Sequence, residues 1–125
     1  MAISLNTTLR NNRLDAITTF AGTSAKLRIY TAAYASQLVE CICSASAFAA
    51  AASGGVLTLN AISAGTASAA GTAAIARFYK SDGSTMVIEG LTVGTSGTNI
   101  IISNTTIAVS DTVTVTSATI TDGNP

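Results

Sequence analysis

Residues 71–90 read GTAAIARFYKSDGSTMVIEG, and this stretch decides the fold class of the chain. Two runs that suit β-strands flank Ser81, Asp82 and Gly83, and an Asp-Gly pair between such runs is a strong signal for a hairpin turn. Successive side chains of a strand point to opposite faces. The first run therefore has two faces, Ala74, Ala76 and Phe78 on one and Ile75, Arg77 and Tyr79 on the other. The stretch predicts an antiparallel hairpin with one face turned toward a core.

The same alternation of apolar and polar residues continues on both sides of this hairpin. In residues 25–31, AKLRIYT, Leu27 and Ile29 alternate with more polar neighbours, as in a half-buried strand. Further short runs of this type are QLVECIC at 37–43, VLTLNAI at 56–62, NIIIS, TTIAV and DTVTVTSATIT. Seven or eight short strands separated by turn residues predict an all-β protein, an antiparallel sandwich.

The last of these runs changes its phase. Val113 and Val115 occupy odd positions, whereas Ala118 and Ile120 occupy even ones. One inserted residue shifts the inward face of a strand in this way. We therefore expect a β-bulge near Thr116–Ser117.

The N-terminal segment has a different period. Asn6 or Ser4 can cap a helix, and Leu9, Arg13, Ala16, Ile17 and Phe20 follow at three- and four-residue spacing. Gly22 suits the left-handed position after a helix end. The pattern predicts a helix of about 14 residues whose apolar stripe packs on its own sheet or on a neighbouring subunit.

The 125 residues suit a single domain, with a helical segment at 1–22, the sandwich at 23–121 and a short polar tail at 122–125. The alanine-rich run at 44–55 is expected to be a loop with one helical turn at most. No segment is a signal peptide or long enough to span a membrane, which predicts a chain that stays in the cytoplasm where it is made.

Composition excludes several function classes. Charged residues make up 10%, against about 25% in typical domains, and six basic and six acidic residues give a net charge of zero. A chain without histidine cannot hold a Ser–His–Asp triad, a histidine-ligated metal or a histidine pH switch. Zero net charge argues against a nucleic-acid surface. Cys41 and Cys43 are expected to be small buried apolar residues, and no cofactor or metal is predicted.

The remaining polar residues give candidates for contacts rather than for chemistry. Glu40 and Glu89 could face each other across a sheet, but a glycosidase-type pair also needs a cleft lined by aromatic rings, and catalysis is not expected. Arg10 and Arg13 mark either a solvated helix face or a contact with a neighbouring subunit. Lys26 and Arg28 would protect an edge strand from promiscuous pairing. The predicted interface residues are Arg10, Arg13, Tyr30, Tyr34 and Glu40.

Several segments, in the same order, resemble small β-rich structural proteins of tailed bacteriophages and prophages. They are LRNNRLDAI, AKLRIYTA, AFAAAASGGVLTLNAI, ARFYKSDGSTMVIEG and GTNIIISNTTIAVSDTVTVTSATITDGN. The resemblance implies a sandwich of jelly-roll type and a virion component, most like a head decoration (cement) protein on the outer capsid surface. It also implies the major capsid protein and further copies of the chain, as dimer or trimer, for partners. The segment at 31–37 is short and lacks the Pro/Gly-rich loop of relatives.

Two other functions stay open from the sequence. A tail- or fibre-associated phage protein would share the same composition and fold. A carbohydrate-binding module would suit a β-sandwich but needs exposed tryptophan or tyrosine platforms, and the chain has no tryptophan.

Overall fold

The computed structural model describes residues 4–121, which form one helix and eleven strands. The helix, α1, spans Thr7–Ala21, and a short 3-10 turn spans Ala32–Tyr34. The first six strands are β1 (Lys26–Tyr30), β2 (Gln37–Ile42), β3 (Val56–Thr58), β4 (Gly65–Thr66), β5 (Gly71–Thr72) and β6 (Ile75–Tyr79). The last five are β7 (Met86–Gly94), β8 (Ile100–Ile102), β9 (Thr106–Ile107), β10 (Thr112–Val113) and β11 (Val115–Thr121). The predicted tail at 122–125 lies outside the described residues.

Seven strands form one sheet in the order β2-β1-β6-β7-β8-β11-β3. Its pairs are antiparallel except β7 with β8, which is parallel. Two small sheets, β10 with β4 and β5 with β9, complete the strands. The fold is therefore mostly β with one N-terminal helix, as predicted from the sequence.

The predicted hairpin is formed by β6 and β7, which pair antiparallel around a turn with Gly83 in the left-handed region at φ +73°. Ala76 and Phe78 are fully buried, and Phe78 packs edge-to-face on Phe48 with ring centroids 5.0 Å apart. Phe48 comes from the alanine-rich run, which is a loop as expected. One large aromatic residue thus fastens this loop over the inner face of the sheet.

A single core joins the two ends of the sheet. Leu27 and Ile29 of β1, Ile100 and Ile102 of β8 and Leu57 of β3 are all buried in the same cluster. Removing each such side chain from water stabilises the fold by about 1.5–3 kcal/mol. The inner faces of distant strands therefore depend on one another.

The predicted β-bulge is confirmed. The register of β11 against β8 shifts between Val115 and Ser117, and after the shift Ala118 and Ile120 are buried. The strand predicted at 56–62 is shorter, because β3 ends at Thr58 and the next residues bond to the alanine-rich loop through Asn60.

The predicted helix is present, but of its predicted inward stripe only Ile17 packs against the core. Asn6 caps α1 by accepting a hydrogen bond from Thr8 N at 2.8 Å, and Gly22 follows at φ +69°. The buried residues are Leu14 and Ala21, whereas Leu9 and Phe20 are about half exposed. Apolar residues lie on both sides of the helix, so spacing alone did not identify the side that packs.

Two polar side chains fix the side of α1 that packs. Asp15 Oδ1 accepts from Ala52 N at 2.8 Å, and Asn11 Oδ1 accepts from Gly55 N at 2.9 Å. Both partners belong to the loop before β3. Because buried backbone N–H groups need acceptors, these bonds orient the helix on its own domain.

The expectation that Lys26 and Arg28 protect an edge strand is also wrong. Their strand, β1, lies between β2 and β6, and β2 and β3 are the outermost strands of the sheet. The outer side of β2 bonds to the segment that contains β4, through Ser63 N to Ile42 O and Ser68 N to Leu38 O. The outward side chains of β1 therefore stand in the middle of a four-strand surface.

Candidate protein-binding surface

The outward sides of β2, β1, β6 and β7 form one surface that carries most of the distinctive side chains of the chain. It includes all three tyrosines, three of the six basic residues and two of the six acidic ones. We call it the tyrosine–arginine face and define it by Lys26, Arg28, Tyr30, Tyr34, Glu40, Arg77, Tyr79 and Glu89. Strand alternation explains it, because Leu27 and Ile29 turn inward and their neighbours turn outward.

A row of four charges crosses this face. Arg28 lies opposite Glu40 on one side and opposite Arg77 on the other. Arg28 Nε donates to Glu40 Oε2 at 2.7 Å, and Arg77 Nε donates to Glu89 Oε2 at 3.1 Å. The order across the strands is negative, positive, positive, negative, so the two arginines stand side by side between two carboxylates.

A bulge in β7 completes the row. Ala76 pairs with Leu91 and Phe78 with Ile88, so that two residues, Glu89 and Gly90, lie opposite Arg77. Gly90 adopts φ +80°, a conformation that glycine tolerates best. The extra residue lets the Glu89 carboxylate reach the guanidinium while its neighbour turns its N–H toward Tyr34.

Each arginine also stacks on tyrosine rings. The Arg77 guanidinium carbon lies 3.7 Å from the ring centroid of Tyr34 and 5.3 Å from that of Tyr30. The guanidinium carbon of Arg28 lies 4.4 Å from the Tyr79 centroid. Such cation–π contacts contribute about 0.5–1 kcal/mol at exposed sites and more where water is excluded. They restrict the orientation of both guanidinium planes.

These contacts shift the pKa values of Arg28 and Tyr30. Partial burial alone would lower the pKa of Arg28, but the hydrogen bond and the charge of Glu40 more than offset it, and the pKa is raised. Burial, together with the neighbouring Tyr79, raises the pKa of Tyr30. The arginine stays charged and the tyrosine stays neutral near neutral pH.

Tyr34 is held by an unusual turn. Ala33 and Tyr34 both adopt φ +58°, a left-handed conformation that costs a residue with a side chain about 1–2 kcal/mol. In return, the Tyr34 hydroxyl accepts from Gly90 N at 2.7 Å and its ring packs edge-to-face on Tyr30, with centroids 5.3 Å apart. The turn thus holds the tyrosine over Arg77.

The β6–β7 turn borders the face at the other end. Asp82 accepts from the backbone N–H groups of Ser84 and Thr85 and from the Thr85 hydroxyl. The backbone bond from Thr85 is the largest of the causes that lower the pKa of Asp82 to about 2. Gly83 O in turn accepts from Arg28 Nη2 at 3.0 Å. The hydrogen-bonded turn therefore also holds the guanidinium of Arg28.

Of the five predicted interface residues, the structure brings three together. Tyr30, Tyr34 and Glu40 lie on the tyrosine–arginine face, although Tyr30 is only 8% exposed. Arg10 and Arg13 lie on α1, away from it. Arg13 borders an open groove of about 320 Å³ with Leu14, Ile17, Ile120 and Thr121.

Sequence reasoning missed the ion pair of Arg77 with Glu89 and the central position of Arg28. The available signal was the outward alternation in IARFY, which puts Arg77 and Tyr79 on one face of the hairpin. Pairing of β1 with β6 joins that face to Arg28, and this pairing spans about fifty residues of chain. Nothing local in the sequence indicates it.

Other chemistry-bearing groups are placed apart. Cys41 and Cys43 are free and buried, as predicted, and burial raises the pKa of their thiols to about 11 and about 12. Within residues 4–121, no three cysteine, aspartate or glutamate side chains are grouped to hold a metal ion. Glu40 and Glu89 do not face each other, because two arginine-bearing strands separate them.

Comparisons with protein-family models, with curated proteins and with solved structures found no match. No helix among the described residues is long and apolar enough to cross a membrane.

Proposed function

We propose that this chain is a non-enzymatic structural protein of a phage particle, a decoration protein that binds the outer surface of the capsid lattice. It is made in the bacterial host cytoplasm and binds the major capsid protein as well as its own copies. The observation that carries the proposal is the tyrosine–arginine face, a surface of stacked rings and paired charges. Tyrosine and arginine are the residue types that protein interfaces favour.

The geometry of the face favours binding over catalysis. A general acid or base must exchange a proton with a substrate and needs a carboxyl placed for that exchange. Here Glu40 and Glu89 each accept from an arginine, and the two guanidinium groups lie between them. Ion pairs of this kind fix the positions of side chains on the surface, as a protein that docks on a partner requires.

The rest of the surface suits contact with neighbours. From β10 to β11, Thr112, Thr114 and Thr116 are all exposed. Hydroxyl groups lose less free energy on burial than charges do. As part of the same proposal, the strands close into a jelly-roll type of sandwich, supported by the single core that joins both ends of the main sheet.

The experiment is to delete the gene in the phage or prophage that carries it and to compare particles with and without the protein. A decoration protein approaches the copy number of the capsid subunits, and its loss lowers the resistance of the head to heat and chelator. A tail- or fibre-associated protein, the alternative, is present in few copies. Absence from purified particles would refute both.

A further inference from the structure

We propose that the adjacent guanidinium groups of Arg28 and Arg77 bind a carboxylate on the surface of a different protein. This inference rests on the proposed function, since it names the chemistry through which the tyrosine–arginine face recognises its partner. The site consists of the two arginines, the Tyr34 and Tyr79 rings on which they stack, and the two carboxylates that end the charge row.

The first argument is the register of the two arginines. Arg28 and Arg77 are directly opposite on neighbouring strands, where side chains are about 5 Å apart and like charges destabilise a sheet. Glu40 and Glu89 offset this repulsion, but each acts from the outer side of the row. The centre of the row keeps two positive charges side by side, which is the arrangement that a carboxylate between them would stabilise.

The second argument is the geometry of the remaining donors. A guanidinium carries five N–H bonds. Arg28 uses Nε for Glu40 and Nη2 for Gly83 O, whereas Arg77 uses Nε for Glu89 and also hydrogen-bonds the side chains of Tyr34 and Tyr79. The two side chains are 20% and 26% exposed. Because tyrosine rings and carboxylates already orient both groups, little conformational entropy is lost when their other N–H bonds receive an anion.

The third argument is the charge of the face. With Lys26 included, it carries three cations and two anions, an excess of one positive charge on a chain whose net charge is zero. Lys26 Nζ lies 4.0 Å from Glu40 Oε1, on the same side as Arg28. One incoming carboxylate would neutralise the face, and bidentate geometry would make the contact strong.

Among residues 4–121, the acidic side chains that a second copy could offer are already engaged, which favours another protein as the source of the carboxylate. Every acidic side chain in residues 4–121 is already engaged: Asp15 with Ala52 N, Glu40 with Arg28, Asp82 with its turn, Glu89 with Arg77, and Asp111 with Ala108 N. In addition, a second copy stacked centrally on the charge row would place arginine over arginine and glutamate over glutamate. Self-association through this face is therefore disfavoured.

The test uses nuclear magnetic resonance on the full chain labelled with ¹⁵N. The probe is a blocked Gly–Glu–Gly tripeptide, with Gly–Gln–Gly as the uncharged control and inorganic phosphate as a second anion. The four arginines give four Nε–H signals, assigned by single arginine-to-lysine variants. We expect the glutamate peptide to shift the signals of Arg28 and Arg77 in a saturable way, with a dissociation constant on the order of 10 mM. The signals of Arg10 and Arg13 should show no saturable shift.

Variants sharpen the result. Arg77→Lys keeps the charge but removes the planar pair of donors, so we expect binding to weaken roughly tenfold, equivalent to about 1.4 kcal/mol. Arg13→Lys on the helix is the matched control and should change nothing. The comparison of the glutamate peptide with the glutamine peptide uses the unmodified chain. It therefore still tests the proposed site if Arg77→Lys unfolds the hairpin.

Five outcomes would overturn the proposal. They are the absence of a saturable shift with the glutamate peptide, equal shifts with the glutamine peptide, equal shifts at all four arginines, tighter binding of phosphate than of the glutamate peptide, and arginine shifts that depend on protein concentration without any probe. The last of these would identify a second copy as the occupant. If the peptide does not bind, the carboxylate site is refuted but the copy number in particles can still support a decoration protein. If the protein is absent from particles, the proposed function is refuted but peptide binding can still be observed. The two proposals therefore fail separately.

Discussion

Replacing Phe48 by alanine tests whether one aromatic residue holds the alanine-rich loop on the sheet. The Phe48 ring is 1% exposed and meets the fully buried Phe78 edge-to-face, at 5.0 Å and 84°. Truncating a buried phenylalanine costs about 3–5 kcal/mol, from lost transfer free energy and the remaining cavity. A domain of this size has about 5–15 kcal/mol in total. We therefore expect Phe48→Ala to remove a large part of the free energy of unfolding.

The assay is urea unfolding followed by circular dichroism, with the midpoint and slope compared between variants. The matched control is Phe20→Ala, because Phe20 is 49% exposed and makes a cation–π contact of 4.7 Å with Lys80. It should cost about 1 kcal/mol or less. A double-mutant cycle of Phe48→Leu and Phe78→Leu should give a coupling of about 0.5–1.5 kcal/mol. A loss below about 1 kcal/mol for Phe48→Ala would refute the reasoning.

Three further predictions concern close packing and ionisation. Gly65→Ala should cost about 1–3 kcal/mol in urea unfolding, because its Cβ would collide with Glu40 O, whereas Ala64→Ser should be neutral; equal costs would contradict this. Cys41 and Cys43 should resist a thiol reagent at pH 8 until the chain unfolds. Because the thiols ionise at a lower pH in the unfolded chain than in the folded one, the free energy of unfolding should fall above about pH 9, and a double alanine variant should show a smaller fall. Asp82 has a lowered pKa, so its contribution should disappear between about pH 4 and about pH 2, and Asp82→Asn should flatten that part of the stability curve, which a calorimetric series checks.

The local parts of the fold were predictable because short-range chemistry determines them. The Asp82–Gly83 turn, the strand at β1 and the bulge between Val115 and Ser117 follow from alternation and turn residues. The side of α1 that packs was not predictable, because the helix's own apolar residues are spread around it and do not lie along one side. There, the hydrogen bonds of Asn11 and Asp15 to a distant loop decide the orientation, and spacing carries no information on them.

The candidate surface was predictable only in part for a related reason. Tyr30, Tyr34 and Glu40 could be selected by residue type, since tyrosine and charge on exposed strands suggest contacts. Arg77 and Glu89 required the order of strands in the sheet, which joins residues far apart in the chain. Strand order depends on the shared core, where Leu27 and Phe78 pack behind the face, and not on any short motif.

The strained backbone and the central charges of the tyrosine–arginine face lie at the same place in the structure. The left-handed residues Ala33 and Tyr34 are strained, and the bulge at Glu89–Gly90 interrupts the pairing of β6 with β7. They meet at one hydrogen bond, from Gly90 N to the Tyr34 hydroxyl, directly over Arg77. If the sheet needed only stability, an apolar pair across β1 and β6 would avoid the like charges and the strain alike. The proposed carboxylate site would account for two arginines placed side by side at the centre of the face, an arrangement that folding alone does not require.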